Sequence, residues 1–207
     1  MRLYKFVLVL LIALLAGCAS TVKFDPAMKS RLDDGIAISP SVKLAGTPYY
    51  HGPEHTWGAV LGGAVGAVVA SSMVSEPTKI KNYLETEKID VGAIVIEEFK
   101  RQINEHADFS SKIRDDGKYR LELEIPIYGL VQKHGFSSEY KPMLGLKARM
   151  KDTEGKVIWE YYDYVTGGNG DTLGFAYDNY FQNPETFRAA YTSAAKVVVS
   201  FVLNDLK

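Results

Sequence analysis

The sequence predicts an α+β domain, an antiparallel sheet of three to four strands with helices packed on one face, preceded by an apolar glycine-rich helix. Three observations predict it. Apolar residues recur at helical spacing in Val91, Ile94, Val95, Phe99 and Ile103, and again from Phe187 to Val202. Between those stretches Leu121, Leu123 and Ile125 alternate with Arg120, Glu122 and Glu124, and Leu144, Leu146, Ala148 and Met150 alternate with Lys147, Arg149 and Lys151. Upstream, Trp57 to Val74 carries no charged residue at all.

In chain order, 18–56 is a polar lead with Pro26, Pro40, Pro48 and Pro53, in which Gly35–Ile38 and Val42–Leu44 form a short strand. The apolar segment 57–74 follows, and the α/β domain occupies 80–207. Asp90 caps the first helix, and Asp115-Asp116-Gly117 turns the chain into the first strand of the domain. Pro126 places that strand at an edge or beside a bulge, since proline donates nothing to a ladder. Thr153-Glu154-Gly155 joins the next two strands as an antiparallel hairpin, ending in the aromatic run Trp159 to Val165. There Trp159 and Tyr161 point inward with Val157, opposite Tyr162 and Tyr164. Gly167 to Asn183 is a loop, flexible around Gly167–Asp171. Asn183 then caps a long amphipathic helix that begins at Pro184.

Composition narrows the function. The chain has 207 residues, 24 Lys and Arg against 25 Asp and Glu, and one cysteine. A formal charge of −1 gives no purchase on nucleic acid through phosphate neutralisation. A single cysteine excludes an internal disulfide framework and any zinc site made of several thiolates. His51 and His55 are four apart, but Gly52-Pro53 interrupts a helix there and no third ligand is evident, so no metal site is expected. Glycines at 167, 168 and 170 before Asp171 lack the stacked copies of calcium-binding repeats. There is no Gly-x-Ser-x-Gly elbow, no phosphate-cradling loop with its lysine and no dinucleotide fingerprint. No catalytic residues are assigned, and an envelope hydrolase is disfavoured for want of a nucleophile and base.

Arg2 and Lys5 precede an uninterrupted apolar run from Phe6 to Leu15, shorter than the about 20 residues that cross a bilayer. The run ends in Leu15-Ala16-Gly17-Cys18, which resembles the lipobox of bacterial lipoproteins at all four positions. That resemblance implies a signal peptide, 1–17, removed before Cys18, with a diacylglyceryl group on the Cys18 sulfur and an acylated amine. No cofactor beyond this covalent lipid is expected. Ala19 and Ser20 follow, without the aspartate beside the cysteine that retains enterobacterial lipoproteins in the inner membrane, which implies the outer membrane facing the periplasm.

Gly58, Gly62, Gly66 and Ala70 fall four apart, on one face of a helix. Small residues at this spacing let another helix approach closely, which is how helices associate in lipid. The stripe resembles the glycine-zipper segments of outer-membrane lipoproteins, without their second segment, which implies a partner in another copy or another protein. Burial within the chain's own domain, a flexible linker and a shallow interfacial helix are the other readings of the segment. On the loop after Gly170, Phe175, Tyr177, Tyr180 and Phe181 offer a recognition surface, beside the plainer reading as core packing.

The order helix, strands around Asp152–Trp159, closing helix resembles small periplasmic lipoprotein domains of the penicillin-binding-protein activator, curli-secretion and transport auxiliary kinds. The resemblance implies a non-catalytic scaffold, assembly or accessory factor held to the membrane by its lipid and working through self-association or contact with another envelope protein. The alternative is a binding module for lipid, glycan or peptidoglycan.

Overall fold

The computed structural model describes residues 21–28, 30–53 and 75–206. Cys18, Gly58, Gly62, Gly66 and Ala70 lie outside the described residues, with the signal-peptide and zipper expectations placed on them. The strands are β1 (Ile36–Leu44), β2 (Tyr49–His51), β3 (Tyr119–Ile125), β4 (Tyr128–Gln132), β5 (Glu139–Lys151), β6 (Val157–Val165) and β7 (Phe175–Ala176). The helices are α1 (Glu76–Thr86), α2 (Val91–Glu105), α3 (Asn179–Gln182) and α4 (Pro184–Asn204).

The expected antiparallel sheet of three to four strands is corrected on both counts: the seven strands form one mixed sheet. β1 runs parallel to β3 and β2 parallel to β4, while β5 is antiparallel to β3, β4, β6 and β7. Alternation along a strand reports which face is buried and says nothing about direction. The two helices that separate β1 and β2 from β3 supply the long crossover that parallel pairing requires.

A break at Pro126 divides β3 from β4. β6 holds one edge of β5 from Leu144 to Lys151, so β3 and β4 must share the other. Glu124 pairs with Lys147 and Tyr128 with Leu144, so one extra residue is inserted at Pro126-Ile127. That is a bulge in an interior strand, not an edge. The register between β1 and β3 likewise shifts between Ile38 and Val42, around Pro40.

One face of the sheet is dry. Leu121, Leu123, Ile125, Leu144, Leu146, Ala148, Met150 and Trp159 are buried there with Val95, Phe99 and Ile103 of α2 and Ala190, Ala194, Ala195 and Val198 of α4. The alanines let the two helices lie close. Each fully buried ring such as Phe99 contributes about 1.5–3 kcal/mol. The expected caps form: Asp90 accepts from the Ala93 N–H at 2.9 Å and Asn183 from the Glu185 N–H at 3.0 Å. In the β5–β6 hairpin Asp152 Oδ1 accepts from the amides of Glu154 and Lys156, and Gly155 takes φ +81°. Gly117 admits no side chain, since a Cβ would stand 2.6 Å from the backbone of Ile36.

Candidate functional site

The carboxyl ends of β2, β4 and β6 and the start of β5 share one end of the sheet, which follows from their register and direction. On the dry face at this end the four loop aromatics find their places. Tyr180 is fully buried, while Phe175, Tyr177 and Phe181 are half-buried. They meet other rings: Tyr177 lies 5.5 Å from Tyr50, 5.0 Å from Tyr140 and 5.1 Å from Phe181. Phe187 of α4 sits 4.9 Å from Tyr180 and 5.7 Å from Phe181, and Tyr83 of α1 5.3 Å from Phe181.

Hydroxyls tie this junction together. Tyr180 donates to the Tyr140 carbonyl at 2.9 Å and Tyr191 to the Gly129 carbonyl at 3.2 Å. The Tyr50 and Tyr140 hydroxyls are 3.3 Å apart. Tyr177 donates to the Glu76 carboxylate at the start of α1. Burial and then that carboxylate push the Tyr177 phenol well above its ordinary value, and burial does the same for Tyr180. Both stay neutral donors at any physiological pH. Lys79 covers the rings from outside, 4.2 Å above Phe181 and 4.7 Å above Tyr177.

The sequence reading missed Tyr50, Tyr83 and Tyr140. Tyr140 carried a usable signal, since it falls in phase with Leu144 and Leu146 on the dry face. Tyr83 carried one too, three residues after Ile80 and beside Leu84 on the packed side of α1, whereas Tyr50 lies in a three-residue strand whose packing no local pattern reveals.

The opposite, solvated face carries a ladder of charges across four strands. Lys43 bonds Glu124 at 3.0 Å, Arg149 bridges Glu124 at 3.1 Å and also bonds Glu160, and Lys147 bonds Glu160 at 3.0 Å. Lys151 holds Glu122 at 2.7 Å. Burial alone would raise the Glu124 and Glu160 carboxyls, but their lysine and arginine partners outweigh it and hold both below the usual range. Glu122 and Glu124 are thus members of a neutralising network on one strand face. Toward the end of β6 the free edge is closed by side chains: Asp163 accepts from the Tyr164 N–H at 2.8 Å, and Asn169 donates to the Tyr164 carbonyl at 3.0 Å. Asn169 also accepts from the Thr166 N–H at 2.6 Å, so the glycine loop expected to be flexible is braced.

Clefts among the described residues border the helices. A groove of about 600 Å³ along α4 is lined by Arg101, Arg188 and Lys196 among others. Arg101 is paired with Glu98 at 2.6 Å and Glu105 at 2.9 Å, and Arg188 with Glu185 at 3.1 Å, so its guanidinium charge is answered from within. A second cleft, of about 210 Å³, lies between Leu44–Gly46 and α1, over Tyr128. It is smaller than the roughly 300–1,000 Å³ usual for ligand pockets. Among the described residues no cluster of three or more His, Cys, Asp or Glu is placed to hold a metal. His51 lies in β2, not on a helix, and His55 lies outside the described residues. Among the described residues no helix is long and apolar enough to cross a membrane.

No known protein family matches the chain, and no curated protein does. Among the solved structures similar in part are two bacterial proteins. Protein XCC0632 from Xanthomonas campestris, described under family DUF330, is 14% identical with a TM-score of 0.33, over 52% of this chain and 57% of that one. Lipoprotein GNA1162 from Neisseria meningitidis is 15% identical with a TM-score of 0.26, over 83% of this chain and 96% of that one. The chain thus spans little more than half of the Xanthomonas protein. Superpositions this loose argue for neither a common fold nor a common function.

Proposed function

We propose that this chain is a non-catalytic envelope lipoprotein, anchored by acyl chains on Cys18 and acting as a scaffold, assembly or accessory factor through protein contacts. The observation that carries the reading is Leu15-Ala16-Gly17-Cys18 in register behind a basic start and a short apolar run. One acyl chain holds a protein only reversibly, whereas several on one residue attach it stably. Outer-membrane residence, periplasmic orientation and a zipper built on Gly58, Gly62, Gly66 and Ala70 belong to the same proposal.

The second reading, a module for lipid, glycan or peptidoglycan, is favoured by the cleft over Tyr128, with its apolar walls and Lys81 and Glu85 at the rim. Its volume suits only a small group. Contact with a protein therefore ranks first.

The test is fractionation followed by capture. Wild-type protein is expected in the membrane fraction and the Cys18→Ser variant in the soluble periplasm. In-cell cross-linking of the anchored protein is then expected to recover a discrete protein partner. Membrane association that survives Cys18→Ser would overturn the anchor, and capture of glycan strands alone would favour the second reading.

A further inference from the structure

We propose that the cleft of about 210 Å³ over Tyr128 is an anchor pocket for one side chain of a partner protein, a tyrosine whose hydroxyl pairs with that of Tyr128. The inference rests on the protein contact proposed above and gives that contact a place on the domain.

The walls are braced before any occupant arrives. α1 closes with the Lys88 N–H on the Glu85 carbonyl at 3.3 Å and the Ile89 N–H on the Leu84 carbonyl at 2.8 Å. That closure needs a left-handed residue, and Lys88 takes φ +52° where glycine is usual. Arg188 of α4 fixes the strained turn, donating to the Glu87 carbonyl at 3.0 Å and the Lys88 carbonyl at 3.4 Å. Ile89 and Val91 are thereby set beside Leu84 as one wall. Leu44, Ala45 and Gly46 form the other, where the Ala45 N–H donates to the Ile125 carbonyl at 2.9 Å. Leu44 is 38% exposed, so the apolar surface runs out to the mouth.

One polar group waits inside. Tyr128 is 4% exposed, yet its hydroxyl makes no hydrogen bond to another described residue, whereas the equally buried Tyr180 and Tyr191 close theirs on backbone carbonyls. Burial and then the Glu85 carboxylate raise the Tyr128 phenol, which keeps it a neutral donor. An occupant ending in a methyl group or a bare ring would shut this hydroxyl from water and leave it unpaired. A phenol both gives and takes a hydrogen bond, as the Tyr50 and Tyr140 hydroxyls do for each other at 3.3 Å. The volume suits one large side chain rather than a whole ligand, and tyrosine is among the residues that anchor interfaces.

The mouth suits the main chain that would carry such a residue. Lys81 and Glu85 stand four apart on α1, so they are neighbours at the rim, and neither forms an ion pair among the described residues. One cation beside one anion complements the carbonyl and the N–H of a single peptide residue.

The experiment titrates two blocked pentapeptides, Gly-Gly-Tyr-Gly-Gly and Gly-Gly-Phe-Gly-Gly, into the mature lipidated chain in detergent micelles. Methyl NMR signals of Leu44, Leu84, Ile89 and Val91 report the cleft. They are expected to shift, with the tyrosine peptide binding roughly tenfold more tightly than the phenylalanine peptide. The preference is expected to vanish in Tyr128→Phe. Gly46→Trp, where nothing lies within 4 Å of an added Cβ, is expected to keep its denaturation midpoint and lose the peptide. Equal affinities in the wild type, a preference that survives Tyr128→Phe, or binding that survives Gly46→Trp would each overturn the pocket. Free tyrosine binding more tightly than the blocked peptide would assign the cleft to a small amino acid and overturn the partner side chain. In cells, the partner cross-linked to the wild type is expected to be lost from Gly46→Trp. A partner retained there would overturn the pocket and leave the protein contact standing, and no partner from either protein would overturn both.

Discussion

At the end of the dry face where β5 begins, Tyr50, Tyr140, Tyr177, Tyr180 and Phe187 meet ring to ring, and the Tyr177 and Tyr180 hydroxyls close on a carboxylate and a backbone carbonyl. On the solvated face, Lys43, Glu124, Arg149, Glu160 and Lys147 meet charge to charge across β1, β3, β5 and β6. The difference lies in what water does to each. Rings withdrawn from solvent gain from area and shape, and a lost atom leaves a void. Charges in solvent gain little per pair and are screened by salt. Stability is therefore concentrated in the aromatic junction, while the ladder sets which face stays wet.

Mutations sharpen the contrast. Tyr180→Ala should cost the most, about 3–5 kcal/mol in urea denaturation, because it empties a fully buried site and strips the Tyr140 carbonyl of its donor. A cost below about 1 kcal/mol would mean that the junction is not where stability resides. Tyr177→Phe keeps the ring and removes only the bond to Glu76, for which about 1–2 kcal/mol is expected by the same measurement. Arg149→Met, between two carboxylates, should cost about 1 kcal/mol at low salt and less at high salt. Lys43→Met, whose side chain is 80% exposed, should shift stability by less than about 0.5 kcal/mol.

Acid separates the two regions by another route. The Glu124 and Glu160 carboxyls titrate below their unfolded value of about 4.3, so the ladder's contribution is complete above that pH and is lost as pH falls through the lowered values. The tyrosines of the junction do not change charge in that window. Denaturation midpoints between pH 6 and pH 3 are expected to fall in the wild type and to fall less in Arg149→Met. Parallel curves would show that the ladder does not carry the acid dependence.

Much of this was visible along the chain, for reasons that differ by residue. Asp90, Asn183 and Pro184 act within one helical turn of their own backbone, so local chemistry identified them. The β5–β6 hairpin was legible because Asp152 and Gly155 close it over a few residues. The sheet's direction and size were not, because parallel pairing of β1 with β3 joins residues some eighty positions apart and leaves no periodic trace. For Tyr180 the sequence leaves both a recognition surface and core packing open, for a related reason. Its loop is polar and glycine-rich, and only the return of the chain across β5 and α4 buries the ring. Phe136 gave the reverse, a ring expected nowhere in particular that the β4–β5 loop holds out into solvent.

The most direct test of the account is mass spectrometry of the amino-terminal peptide from protein purified out of membranes. The account predicts a chain beginning at Cys18, carrying a diacylglyceryl thioether and an amide-linked acyl chain. An unmodified terminus at another residue, on protein recovered free of membrane, would contradict it.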